Sequence, residues 1–85
     1  MPSKTVVVGS SIGLHARPAG LIADAATELG VEVTLATPGG DPVDAGSALF
    51  IMTLGAACGD EVTVTSDDQA AVDRIAALVE QDLDA

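Results

Sequence analysis

The chain has one histidine, His15, and three basic side chains, Lys4, Arg17 and Arg74. Arg17 follows the histidine by two residues and directly precedes Pro18. A neutral imidazole is a nucleophile near neutral pH and can attack an activated phosphoryl group. The P–N bond so formed is labile, because a protonated imidazole leaves readily. A guanidinium pairs well with phosphate oxygens. Pro18 is a residue of a helix's first turn, where its missing N–H costs nothing, and the free N–H groups at such a helix start favour an anion. Imidazole, guanidinium and helix N-terminus therefore converge on one chemistry, a phosphate cradle around His15. A helix terminus contributes only about 0.3–1 kcal/mol to an anion, a loose grip that suits a group held in transit. The competing view is a loop histidine satisfied by backbone, with Arg17 merely extended along the surface. Gly13 and Pro18 on either side of His15, and the placement at a helix start, favour the cradle.

Little else in the chain supports a complete enzyme. There is no glycine-rich nucleotide loop, and one histidine with a distant Cys58 does not make a dedicated zinc site. None of the 13 acidic residues is marked by an apolar setting, and a deep pocket is hard to build in 85 residues. The expectation is a protein acted on by partner enzymes rather than a turnover enzyme, with neither cofactor nor metal. The formal charge of −10 opposes binding to nucleic acid and to anionic membranes, and Phe50, the sole aromatic, offers no platform for stacking bases. No apolar run reaches the roughly 18 residues that span a bilayer. Met1-Pro2-Ser3-Lys4 lacks the basic stretch and apolar core of a signal peptide, and a lone cysteine builds no internal disulfide framework. A cytoplasmic protein is expected, with Cys58 as a buried, inert thiol.

The elements that must position His15 follow from periodicity and breakers. Thr5–Val8 reads as a strand closed by Gly9-Ser10-Ser11. The segment Gly13–Pro18 is a loop that feeds a helix, Pro18 suiting its first turn; the helix runs through Leu21, Ile22, Ala25, Ala26 and Leu29, with Gly30 as a stop. Val31–Ala36 alternates as a strand with one wet face. Pro38–Asp41 is a turn, and Pro42–Ala45 a short returning strand. Ser47 caps a helix over Ala48–Leu54, ended by Gly55. Glu61–Thr65 alternates again. Ser66-Asp67-Asp68 then caps a last helix from Gln69 to Leu83, whose Val72, Ile75, Val79 and Leu83 form an apolar stripe. The order β-α-β-β-α-β-α over one domain, residues 1–85, predicts an α/β fold of the α+β kind. It is an open-faced sandwich with an antiparallel sheet and helices on one side.

Gly13-Leu14-His15-Ala16-Arg17-Pro18-Ala19 closely resembles the active-site signature of the HPr family, which serves the phosphoenolpyruvate-dependent sugar phosphotransferase system. Gly46-Ser47-Ala48-Leu49-Phe50-Ile51-Met52-Thr53-Leu54-Gly55 resembles that family's second landmark, and the order and spacing of elements are similar from Lys4 to Leu83. The resemblance implies four antiparallel strands covered by three helices on one face. It implies a phosphocarrier for sugar transport in bacteria, and a monomer suits such a shuttling carrier. His15 would be phosphorylated on Nδ1 by the phosphorylated form of Enzyme I, with phosphoenolpyruvate the original donor. Arg17 would stabilise the phosphate before it passes to the IIA component of a sugar permease. Ala16, Gly20, Ala48, Leu49 and Met52 correspond to the docking patch, although from spacing alone Leu49 and Met52 could equally be core. Ser47 corresponds to a regulatory serine that a dedicated kinase phosphorylates in some lineages, and capping and regulation can coexist there.

Two departures from the family pattern stand out. Gly46 replaces the lysine or other larger residue common before that serine. Asp24, Thr27 and Phe50 stand where family members often carry lysine or arginine, so docking is expected to rest more on apolar contact, with weak salt dependence. The same resemblance leaves open a nitrogen-linked phosphorelay paralogue, or a regulatory binding module in which phospho-Ser47 docks on a transcriptional regulator.

Overall fold

Alternating aliphatic and polar residues in Val33–Ala36 and Glu61–Ser66 give those strands one face for the core and one for water. In the computed structural model, which describes residues 2–82, the elements are β1 (Ser3–Val7), α1 (Ala16–Leu29), β2 (Val33–Ala36), β3 (Val43–Asp44), α2 (Ala48–Thr53), β4 (Glu61–Ser66) and α3 (Gln69–Glu80). The strands lie in the order β1-β4-β2-β3, and every pairing is antiparallel. Val6, Val33, Leu35, Val62 and Val64 are buried. Their neighbours along the strands, Thr5, Thr34, Thr63 and Thr65, remain at least partly exposed, as a two-residue side-chain period requires. The architecture is the expected open-faced sandwich with three helices on one side.

The helices meet the sheet through small and branched aliphatic side chains. α1 buries Pro18, Ala19, Ile22, Ala23, Ala25 and Ala26, and α3 buries Ala71, Val72, Ile75, Ala76 and Val79. The alanines let α1 and α3 approach one another and the sheet closely, so the core fills without an aromatic. Phe50 stands on the surface, 51% exposed. α2 is short and buries only Ile51, while packing against α1 and β3.

Several boundaries differ from those the sequence predicts. β2 begins at Val33, with Val31 left exposed. β1 ends at Val7, although Val8 still donates to the Asp60 carbonyl at 2.9 Å and accepts from the Gly59 amide at 3.0 Å. Leu21 and Leu29 are exposed rather than core: Leu21 adjoins Ile22, which takes the inward position about 100° round the helix, and Leu29 is the last residue of α1. α3 was expected to reach Leu83, but it ends at Glu80, with Gln81 extended. The loop after β1 competes for its last carbonyls: Gly9 N–H donates to Val79 O, and the Ser10 hydroxyl to Gln81 O. Leu83 lies outside the described residues.

Leu35 on β2 is fully buried, facing the helices. Leu35→Ala should remove about 2–5 kcal/mol of stability, a large share of the roughly 5–15 kcal/mol of an ordinary domain. Urea denaturation followed by circular dichroism measures it, and an unchanged midpoint would contradict this account of the core.

Candidate functional site

The segment from Val8 to His15 is fastened at both ends before it delivers the imidazole. A tight turn closes with the Gly13 amide donating to Ser10 O at 2.9 Å. Gly13 takes φ of 77°, a left-handed conformation costly for any residue with a side chain. A Cβ there would come within 2.5 Å of the Ala56 carbonyl oxygen and 2.9 Å of the Ala57 Cα. This close approach lets the Leu14 amide donate to Ala56 O at 2.9 Å and sinks the Leu14 side chain to 4% exposure. His15 emerges directly from that anchor.

His15 is the N-cap of α1, with extended backbone, and its carbonyl accepts the Ala19 amide at 2.8 Å. A capping Ser, Thr, Asp or Asn would turn its side chain onto a first-turn N–H. The His15 side chain makes no such bond, and the residue is exposed. The first turn of a helix has no intrahelical acceptors for its amides, and Pro18 has no N–H to offer, which leaves those of Ala16 and Arg17. The Arg17 side chain is exposed and makes no ion pair or hydrogen bond among the described residues. A nucleophilic ring, a free guanidinium and two outward amides therefore share the first turn of α1. Such a turn can accept, hold and release a phosphate.

The residues expected to form a docking patch fall on the two adjacent helices. Ala16 is exposed and Gly20 half-buried on α1. On α2, Ala48 is half-buried, whereas Leu49 and Met52 are 65% and 37% exposed, which decides against their being core. Sequence reasoning missed two further exposed apolar residues, Ile12 and Leu21, while Phe50, already singled out, is exposed as well. The adjacency of Leu21 to Ile22 was the available sign, since both cannot face inward.

Ser47 is set apart from this turn. It is half-buried and caps α2, its hydroxyl accepting from the Phe50 amide at 3.3 Å. A Cβ on the preceding Gly46 would lie 3.7 Å from Thr27 Oγ1, so the start of α2 lies beside the far end of α1. Residue 27 is twelve positions along from residue 15, about 18 Å of helix. Ala56, just beyond the other end of α2, meets the His15 loop. His15 and Ser47 thus lie at opposite ends of the α1–α2 pair. Cys58 is exposed, not buried as expected; it sits in a turn closed by the Asp60 amide on Ala57 O at 2.9 Å.

No group of His, Cys, Asp and Glu among the described residues could hold a metal ion, and none of their helices is long and apolar enough to cross a membrane. A sequence model described as "PTS HPr component phosphorylation site" matches residues 2–81. The chain belongs to the HPr family. The HPr phosphocarrier of Streptomyces coelicolor is 45% identical over 87 aligned residues, covering 99% of this chain and 94% of the relative. Among solved structures, an HPr from Bacillus anthracis superposes with a TM-score of 0.84 at 31% identity, covering 92% of this chain and 95% of the other. An HPr from Thermoanaerobacter tengcongensis gives a TM-score of 0.88 at 27% identity, covering 100% and 98%. HPr proteins are phosphocarriers of the phosphotransferase system, so the family and the first turn of α1 point to the same chemistry.

Gly13→Ala should lose about 1–2 kcal/mol from the left-handed backbone alone and speed hydrogen exchange at the Leu14 amide. Wild-type protection at Leu14 would show that Gly13 is not what seats the loop.

Proposed function

We propose that this chain accepts a phosphoryl group on Nδ1 of His15 from phosphorylated Enzyme I and delivers it to the IIA component of a sugar permease, acting as one monomeric domain in the cytoplasm. The observation that carries this is the exposed, uncapped imidazole at the N-cap of α1. With the ring proton on Nε2, the Nδ1 lone pair attacks phosphorus. A P–N bond forms as the bond to the donor breaks, and that electron pair leaves with the donor. Nδ1 is the ring nitrogen nearer the backbone, so a phosphate there lies on the side of the Ala16 and Arg17 amides. Those amides and the Arg17 guanidinium take up its negative charge. Onward transfer is the reverse attack by the acceptor's nucleophile, with the imidazole as leaving group.

Among the described residues, neither the cavity beside Thr37, Pro38 and Asp60 nor the one beside Thr27, Glu32 and Asp44 is lined by His15, and partner enzymes would supply the rest of the reaction. Those partners would seat on the exposed apolar residues around the first turn, with Leu49 and Met52 on α2 and Ala16 and Gly20 on α1. Small and flexible side chains adapt to more than one partner. Ser47 would be a second, regulatory phosphorylation site. A phosphate there would add charge at the opposite end of the same two helices, without touching the His15 chemistry directly.

Incubation with phosphoenolpyruvate and Enzyme I should label wild type and leave His15→Ala unlabelled, with Ser47→Ala labelled like wild type. Hydrogen bonds to charged groups contribute about 1.5–3 kcal/mol, so Arg17→Ala should fold normally and transfer about ten- to a hundredfold more slowly. A labelled His15→Ala protein would overturn the assignment, and a wild-type rate in Arg17→Ala would remove its role.

A further inference from the structure

Two polar side chains are fully or almost fully buried among the described residues, Ser10 and Ser66. Ser66 serves the architecture: its hydroxyl donates to Glu32 O at 2.6 Å and accepts from the Asp68 amide at 3.3 Å, joining β4 to the start of α3. Ser10 lies instead in the loop that delivers His15, and it is 0% exposed. A buried hydroxyl is costly unless paired, and that of Ser10 donates to the Gln81 carbonyl at 3.2 Å.

The neighbours of Ser10 show what this bond secures. Gly9 donates to Val79 O at 3.0 Å, and a Cβ on Gly9 would stand 1.8 Å from the Glu80 carbonyl oxygen. The loop therefore lies directly on the carbonyl end of α3, at a separation only glycine allows. From there Ser10 reaches both ways, through its hydroxyl to Gln81 and through its carbonyl to the Gly13 amide, which closes the turn. Gly13 in turn sets Leu14 against Ala56 and so places His15.

We propose that Ser10 is a positioning residue for phosphoryl transfer, its hydroxyl pinning the turn to the end of α3 so that the imidazole faces the amides of Ala16 and Arg17. This rests on His15 being the phosphoryl acceptor. It makes the last turn of α3, remote in sequence, part of the support for the site. Small displacements of a reacting group are costly, about a hundredfold in rate for 1 Å in unfavourable cases. Loss of one anchor among several should cost less.

The test compares wild type with Ser10→Ala, Gly9→Ala and, as a control, Thr63→Ala, which deletes a hydrogen bond to Thr5 on the open sheet face. Each is assayed as the substrate of Enzyme I with phosphoenolpyruvate as donor. Nitrogen NMR of the His15 ring and thermal unfolding are recorded alongside. Ser10→Ala should lower kcat by about three- to tenfold, well inside the range for misplaced groups, with KM unchanged because the docking residues on α1 and α2 are untouched. Its His15 ring resonances should shift, while Thr63→Ala keeps wild-type kcat and ring resonances. Gly9→Ala should change kcat in the same direction if it folds, and Ser10→Ala decides the matter if it does not. A wild-type kcat in Ser10→Ala, or an equal loss in Thr63→Ala, would overturn the proposal. Failure of wild type itself to accept phosphate on His15 would instead remove the reading beneath it.

Discussion

A hydrogen bond of 2.9 Å from the Leu14 amide to the Ala56 carbonyl, closed beneath a buried Leu14 side chain, joins two stretches far apart in sequence. One carries His15 into the start of α1; the other leaves the end of α2. Because the two meet there, the first turn of α1 and the exposed apolar residues of α2 belong to one surface. The contact depends on Gly13, whose missing Cβ and left-handed backbone let the strands of loop lie this close. Without that seam, His15 would be a histidine on a free loop, and its distance from the amides that favour a phosphate would not be set.

Charge follows from where the three cations stand. Lys4 lies on β1 and Arg74 on α3, which leaves Arg17 alone on the helix that begins at His15. In a chain of net charge −10, that placement gives the first turn a local sign opposite to its surroundings. The attraction is partly screened at an exposed site, and each first-turn contribution is modest. In the proposed function, a phosphate would be held there without being trapped, and the exposed imidazole would stay open to a partner on either step.

Much of this was legible in the sequence, because short-range physics decides it. Alternation in Val31–Ala36 and Glu61–Thr65 marked two strands and their inner faces, the first beginning two residues later in the structure. Gly30 and Ser47 marked a helix end and a helix start that the structure keeps. The His15, Arg17 and Pro18 spacing located the candidate site and its phosphate chemistry, and resemblance to a family supplied the expected partners. One misreading has its cause in long-range contact. The end of α3 at Glu80 depends on carbonyls taken by Gly9 and Ser10, some seventy residues earlier in the chain. Cys58 looked like a buried thiol from residue type alone, yet its turn places it on the surface. The exposure of Leu49 and Met52 depends on how the short α2, which buries only Ile51, packs against α1 and β3, and spacing alone does not announce that.

The account turns on one bond, between phosphorus and the Nδ1 of His15. Nitrogen-15-labelled protein, phosphorylated by Enzyme I from phosphoenolpyruvate, can be observed by correlated phosphorus and nitrogen NMR. The account predicts a single phosphorus resonance with one-bond coupling to Nδ1 of His15, and none of an ester type at Ser47. Coupling to Nε2, or phosphorus found on any other residue, would contradict it.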